Sequence, residues 1–337
     1  MFDIKHIALL MTAPLITFLG VKMEKIAIIG SGFIGRAWAI TFARAGYEVV
    51  LWDHDPDAPR RAIDYILEVL IDLQANDLLM GSSPDTIKAR IRPVGSLEEA
   101  VTGAVYVQEN APENLDLKRD LFRRLDQAAR PETILASSTS ALLPSAFTEG
   151  LKGRARCLVV HPINPPYLIP ATEIVPAPWT SPAIIEQATA ILRSAGQAPI
   201  VMTKEIDGFV MNRMQGALIE EAFRLVAEGY ATAEDIDIGI REGLALRWSF
   251  MGPFETIDLN APGGIRDYTE RYERIYSNIF PSTQWRVDWN GPVLDGIEAD
   301  RRKKLPADQL KARQTWRDRR LMALAAQKRR AEKEIGG

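Results

Sequence analysis

Histidine changes charge more readily near neutral pH than any other side chain, and a carboxylate beside it can fix its tautomer and stabilise its charged form. The run from Cys157 to Val175, CLVVHPINPPYLIPATEIV, offers such a pairing. A short apolar strand, Leu158-Val159-Val160, delivers His161 at its carboxyl end. A proline-rich crossing follows, and a second apolar run carries Glu173. Open α/β sheets present ligands at the carboxyl ends of their strands, so a histidine at that edge stands where a bound substrate would be. The two residues are twelve apart with a turn between them. That spacing lets them meet without requiring it, and a strand-end histidine can also be purely structural. As a dyad they could take up a proton near neutral pH and stabilise it.

The elements that must position this pair begin with Lys25 to Ile29 (KIAII), a buried-strand run entering Gly30-Ser31-Gly32-Phe33-Ile34-Gly35. A helical pattern from Arg36 to Ala45 is stopped by Gly46, and the next strand, Tyr47 to Trp52, ends in Asp53. Strand, G-x-G-x-x-G, helix, strand and acid together form the dinucleotide-binding fingerprint in its full context. Gly30 permits the tight turn, Gly32 lets the backbone approach a pyrophosphate, and Gly35 lets helix and strand pack closely. The helix start, with Phe33 and Ile34, offers unpaired N–H groups and a positive dipole end to the phosphates. Asp53 lies eighteen residues past Gly35. It would accept hydrogen bonds from the adenosine ribose and repel a 2′-phosphate; His54 and Asp55 follow it rather than arginine. The expected cofactor is NAD rather than NADP, and no metal site is assigned.

Bulk properties agree with an ordinary globular chain. Its 337 residues suggest two domains, and 47% apolar with 25% charged residues leave room for a sizeable core. A formal net charge of −3 provides no global field to recruit nucleic acid. The single cysteine, Cys157, lies in an apolar strand and reads as a small buried hydrophobe; one cysteine cannot form an internal disulfide, which fits a reducing, cytoplasmic setting. Ile7 to Val21 is nearly uncharged but too short for a comfortable membrane span. Residues 1–22 are therefore expected to be an extension without a fold role, ahead of a natural start at Met23, and no membrane is expected among the partners.

Further along, residues 60–92 read as connecting helices. Val105 to Gln108 is a strand ending in Glu109-Asn110-Ala111-Pro112-Glu113. A helix runs from Leu115 to Ala128, and Thr133 to Ala136 is a strand running into Ser137-Ser138-Thr139-Ser140. Serines at a strand end can bind a ligand or cap the next helix, and capping is the expectation for Ser138 to Ser140. A helix follows Ser181, and Pro199 to Thr203 is the last strand. From Lys204 onward only helices are expected, the first from Val210 to Glu228 with Asn212 in its first turn. Gly243 to Trp248 reads as a loop. The Lys- and Arg-rich residues 301–333 read as the solvated face of a packing helix.

These motifs resemble the 3-hydroxyacyl-CoA dehydrogenase superfamily from Lys25 to about Ala326. The resemblance rests on the glycine loop, Ser137, His161-Pro162-Ile163-Asn164-Pro165, Glu173, Asp207-Gly208-Phe209-Val210-Met211-Asn212-Arg213 and Met251-Gly252-Pro253-Phe254-Glu255. Within it, the chain is most similar to the lambda-crystallin branch, the L-gulonate 3-dehydrogenases. The marks are Asn164-Pro165-Pro166-Tyr167-Leu168-Ile169-Pro170, Gly243-x-x-x-Arg247 and Ala312-Arg313-Gln314-Thr315-Trp316-Arg317-Asp318. The resemblance implies a doubly wound, mostly parallel Rossmann α/β domain over residues 23–205 and an all-helical domain over 206–337 that pairs in a homodimer. It implies that His161 is the base, that Glu173 orients it, and that Ser137, Asn164 and Asn212 hold the substrate oxygens. Ser137 and Glu109 would also meet the cofactor. Arg247 would clamp a free carboxylate with its two-pronged guanidinium. The implied reaction is NAD-linked oxidation of the 3-hydroxyl of a small hydroxy acid such as L-gulonate. The alternatives are a 3-hydroxyacyl-CoA, L-carnitine, or a non-catalytic NAD-binding structural role.

Overall fold

In the computed structural model, residues 23–336 are described, and the expectation for residues 1–22 lies outside them. The strands are β1 (Lys25–Ile29), β2 (Glu48–Trp52), β3 (Ile91–Pro93), β4 (Ala104–Glu109), β5 (Ile134–Ser137), β6 (Cys157–Pro162), β7 (Ala171–Pro176) and β8 (Ala198–Val201). They form one eight-stranded sheet in the order β3-β2-β1-β4-β5-β6-β7-β8. Every neighbouring pair is parallel except β6 with β7. Strands buried on both faces must be apolar throughout rather than alternating. That is why KIAII in β1 and CLVV in β6 fold centrally.

The sheet separates two cores. On one side Trp38, Phe42, Ile66 and Leu70, from the helices Phe33–Arg44 and Ala58–Ala75, pack with Ile26 and Ile28. On the other, Leu121, Phe122 and Leu125, from the helix Leu115–Ala128, pack with Ala27, Ile29 and Val159. Helices on both faces of a parallel sheet make this a doubly wound Rossmann fold. The order of connection reverses between β1 and β4, so the ligand crevice opens at their carboxyl ends, where the glycine loop begins. The segment read as connecting helices holds two helices, Ala58–Ala75 and Pro84–Ala89, and also the short edge strand β3.

After β8 the described chain is helical, beginning with the helix Met211–Ala227. The stretch Gly243 to Trp248, expected as a loop, is instead the end of a π-helical turn, Gly239–Leu244, continued by the helix Ala245–Trp248. Beyond residue 205 the buried apolar side chains are Phe209, Ala261 and Met322. Met322 does not serve this half. It lies on the last helix, Leu310–Ile335, and joins the sheet's own core cluster with Leu70, Leu73, Leu78 and Leu79. Arg319 reaches Asp72 at 3.1 Å and Arg329 lies 3.5 Å from Asp77, so the basic stripe is partly spent on the first half of the chain.

Candidate active site

Antiparallel pairing of β6 with β7 places His161 directly opposite Glu173 in register. Opposed residues in such a pair share a face of the sheet. Here the side chains meet, with His161 Nδ1 2.7 Å from Glu173 Oε2. A carboxylate accepts only, so Nδ1 carries the proton and Nε2 is left as an acceptor. Glu173 has no exposure and His161 only 7%. The other carboxylate oxygen, Oε1, accepts the Val210 N–H at 2.7 Å and the Met211 N–H at 2.8 Å, at the start of the helix Met211–Ala227. Burial alone would raise the carboxyl's pKa. Hydrogen bonds from His161 and from the Met211 and Val210 N–H groups outweigh it and hold the carboxyl below its ordinary value.

The turn into that helix is unusual. Gly208 and Phe209 both have positive φ, +76° and +50°. A left-handed phenylalanine costs on the order of 1–3 kcal/mol and persists only where packing enforces it. Phe209 is fully buried, its ring 5.6 Å from that of His161. The strained turn thus seats the imidazole and aims the helix N–H groups at Glu173.

His161 opens into a cleft of about 370 Å³. The carboxyl ends of β4 and β5 contribute Asn110, Ala111, Glu113, Ser138 and Ser140. The glycine-loop helix contributes Ile34, the crossing contributes Pro162, Ile163 and Asn164, and the helix Met211–Ala227 contributes Asn212 and Gln215. Asn164 and Asn212 therefore lie with the dyad, and the Asn212 amide donates to the Ser140 carbonyl at 2.7 Å.

Three assignments change. Ser137 is fully buried, and its hydroxyl donates to Glu109 Oε2 at 2.5 Å, so it faces neither substrate nor cofactor. Three residues on, past the strand end, Ser140 lines the cleft, and Ser138 lines it as well. Neither is a helix cap, because the following helix, Pro144–Thr148, is preceded by Leu143. The Ser138 hydroxyl takes N–H bonds from Trp38 at 3.0 Å and Gln108 at 2.6 Å and gives its proton to Asn110 at 2.8 Å. Glu109 is also fully buried, held by Lys118 Nζ at 2.9 Å from both oxygens and by the Ala111 N–H at 2.6 Å. It braces the loop after β4 instead of meeting a cofactor. Arg247 is exposed, outside the cleft, and its nearest polar partner is Asn260 at 3.4 Å. Its order in the sequence did not carry where the helical half folds it.

Glu113 and Gln215 were not singled out from the sequence. Glu113 sits five residues before the buried Lys118 and accepts from the Thr139 hydroxyl and the Leu142 N–H. Gln215 is three residues past Asn212, and that helical spacing was the available signal.

The glycine loop fits a dinucleotide. Gly30 has φ +89°, and a Cβ on Gly35 would lie 1.8 Å from the Gly30 carbonyl oxygen, so only glycine permits the close approach of strand and helix. The N-terminus of the helix Phe33–Arg44 has no side-chain cap, and the buried Ser31 hydroxyl has no hydrogen-bond partner among the described residues. Both are groups a phosphate could satisfy. Asp53 accepts the Ser31 N–H at 2.7 Å and lines a second cavity with Gly32, Phe33 and Arg36.

Sequence comparison then decides the family. Residues 25–206 match the 3-hydroxyacyl-CoA dehydrogenase NAD-binding domain, and residues 208–287 match the C-terminal domain of the same family. The chain belongs to the 3-hydroxyacyl-CoA dehydrogenase family. As a member of this family it is an NAD-dependent oxidoreductase acting on hydroxyl groups. Within the family it is 42% identical to lambda-crystallin of Oryctolagus cuniculus over 310 residues, covering 91% of this chain and 97% of that one. It is 41% identical to L-carnitine dehydrogenase of Pseudomonas putida over 252 residues, covering 74% and 77%. Among solved structures, the NAD+-dependent 5-formyl-3-hydroxy-2-methylpyridine 4-carboxylic acid 5-dehydrogenase superposes with a TM-score of 0.77 at 29% identity, covering 90% of this chain and 97% of that one. Among the described residues no helix is long and apolar enough to cross a membrane, and no cluster of three or more ligating side chains could hold a metal ion.

Proposed function

We propose that this dehydrogenase oxidises the 3-hydroxyl of a small 3-hydroxy acid, with L-gulonate the leading substrate. The observation that carries the reading is the His161 Nδ1–Glu173 hydrogen bond of 2.7 Å, which leaves Nε2 as the acceptor at the cleft. NAD, held by the loop Gly30 to Gly35 and by Asp53, supplies the hydride acceptor when bound. His161 Nε2 takes the hydroxyl proton as the carbonyl forms. Glu173 stabilises the resulting imidazolium without itself becoming protonated. Asn212, Asn164 and the Ser140 hydroxyl orient the carbinol oxygen. Fixing a reactant in this way removes much of an entropic barrier.

Carnitine, a quaternary ammonium, is best held by an aromatic or acidic pocket. No Phe, Tyr or Trp is among the described residues lining the cleft, and its one acid, Glu113, is engaged by the Thr139 hydroxyl and the Leu142 N–H, which favours the hydroxy acid. A structural role without catalysis leaves a buried, hydrogen-bonded dyad facing the cleft unexplained. NADH formation from L-gulonate, other 3-hydroxy acids, L-carnitine and 3-hydroxybutyryl-CoA tests the reading. Turnover is expected on the free acids; turnover confined to the thioester or to carnitine would overturn it.

We also propose a division near residue 205, a cytoplasmic setting, and a homodimer formed through the helical half. Cys157 fits a reducing compartment: burial pushes its thiol up to about 12, so it stays protonated and inert. For the dimer, Trp248, Phe250, Phe254, Tyr272 and Trp285 are large, exposed and clustered in sequence on a half with almost no core of its own. Apolar surface of that extent is characteristic of association. Light scattering is expected to give about twice the 37.5 kDa chain mass; a monomer at micromolar concentration would refute the pairing.

A further inference from the structure

Among the described residues, the cleft holds one polar side chain that neither the mechanism uses nor a neighbour satisfies. Gln215, a solvent-exposed residue, lines it beside His161 and Asn212, and among the described residues its carboxamide makes no hydrogen bond. Its polar neighbours are engaged: Asn212 with the Ser140 carbonyl, Ser138 with Trp38, Gln108 and Asn110, and Glu113 with Thr139. Residues three apart share a helix face, and the rise along the axis between them is about 4.5 Å. Asn212 stands at the end of the helix where Glu173 and His161 meet it, so Gln215 lies one turn further from the reacting carbinol. That offset matches roughly the reach to a hydroxyl one or two carbons along a bound chain.

The chemistry is specific as well. A carboxamide offers two N–H donors and a carbonyl acceptor, which complements a hydroxyl that both donates and accepts. A methyl or methylene at the same place would strip water from the amide and return nothing. No Lys or Arg is among the described residues lining the cleft, so what Gln215 offers there is a hydrogen-bonding partner for a hydroxyl and not a cation for a carboxylate.

We propose that Gln215 selects substrates carrying a further hydroxyl beyond the carbon oxidised, making this a dehydrogenase of polyhydroxylated acids in preference to deoxy acids. The inference rests on the hydroxy-acid reading above. The experiment compares wild type, Gln215→Leu and Gln215→Ala on L-gulonate and on 3-hydroxybutyrate as the free acid, with NAD saturating. Both variants are expected to lower the ratio of kcat/KM for L-gulonate to that for 3-hydroxybutyrate by roughly tenfold, the usual worth of one hydrogen bond between neutral groups. The loss should appear mainly in KM for L-gulonate, with NAD affinity and Tm unmoved. An unchanged ratio in a folded, NAD-binding variant overturns the role of Gln215 alone. Wild-type protein that turns over neither acid overturns the hydroxy-acid reading and this inference together.

Discussion

His161→Ala is expected to lower kcat by about 10²- to 10⁴-fold, the range that a positioned general base contributes. NAD affinity should stay nearly intact, because the imidazole lies at the end of β6, while the dinucleotide loop follows β1, with β4 and β5 between them. Removing the ring also frees Glu173 from one of its three hydrogen bonds. The other two, from Val210 and Met211, remain to hold the carboxylate in place. The fold should therefore survive, and the loss should be one of chemistry. NADH formation at 340 nm, together with a fluorescence titration of NAD, separates the two. Unchanged turnover would remove His161 from the role of base.

Glu173→Gln tests the same site from behind. The substituted amide keeps an oxygen for one side and presents N–H to the other. With its oxygen towards Val210 and Met211, it offers its N–H to His161 Nδ1 and favours the tautomer with the proton on Nε2. That form cannot accept from the substrate. A fall in kcat on the order of 10³-fold or more is expected, as when a triad carboxylate is replaced by its amide in serine proteases. The pH dependence of stability has a definite sign. The folded carboxyl sits below its ordinary value. Its contribution is therefore complete above that value, about 4.3 for glutamate, and is lost as pH falls through the lower folded value. Wild type should exceed the variant by about 2 kcal/mol at pH 7, an estimate for charged hydrogen bonds. The gap should close in strong acid. Urea denaturation at both pH values measures it, and a gap that widens on acidification would contradict the assigned ionisation.

Local signals carried most of the fold. β1 and the helix Leu115–Ala128 fall where apolar periodicity and flanking residues placed them. The two members of the dyad were legible as residue types at a strand end and after a turn, while their meeting was left open by the spacing and comes from the antiparallel pairing of β6 with β7, which opposes His161 and Glu173. What failed depended on side-chain direction or on distant packing. Which serine of Ser137-Ser138-Thr139-Ser140 faces the cleft is decided where the strand ends, and Ser137 is still within β5. Glu109 resembles a ligand-facing acid until Lys118, a partner from the next helix, covers it. Arg247 was placed by chemistry, a carboxylate seeking a fork, and chemistry alone does not say where a helix without its own core will lie.

The membership of Met322 in the core cluster that also holds Leu70, Leu73, Leu78 and Leu79 bears on the order in which the molecule can be made. Domains commonly fold as they leave the ribosome, amino-terminal first. Here the nucleotide-binding half emerges with an apolar patch whose cover is synthesised more than a hundred residues later. That half waits on the chain's last helix, and during synthesis the interval between them is the period in which a chaperone would find a surface to hold.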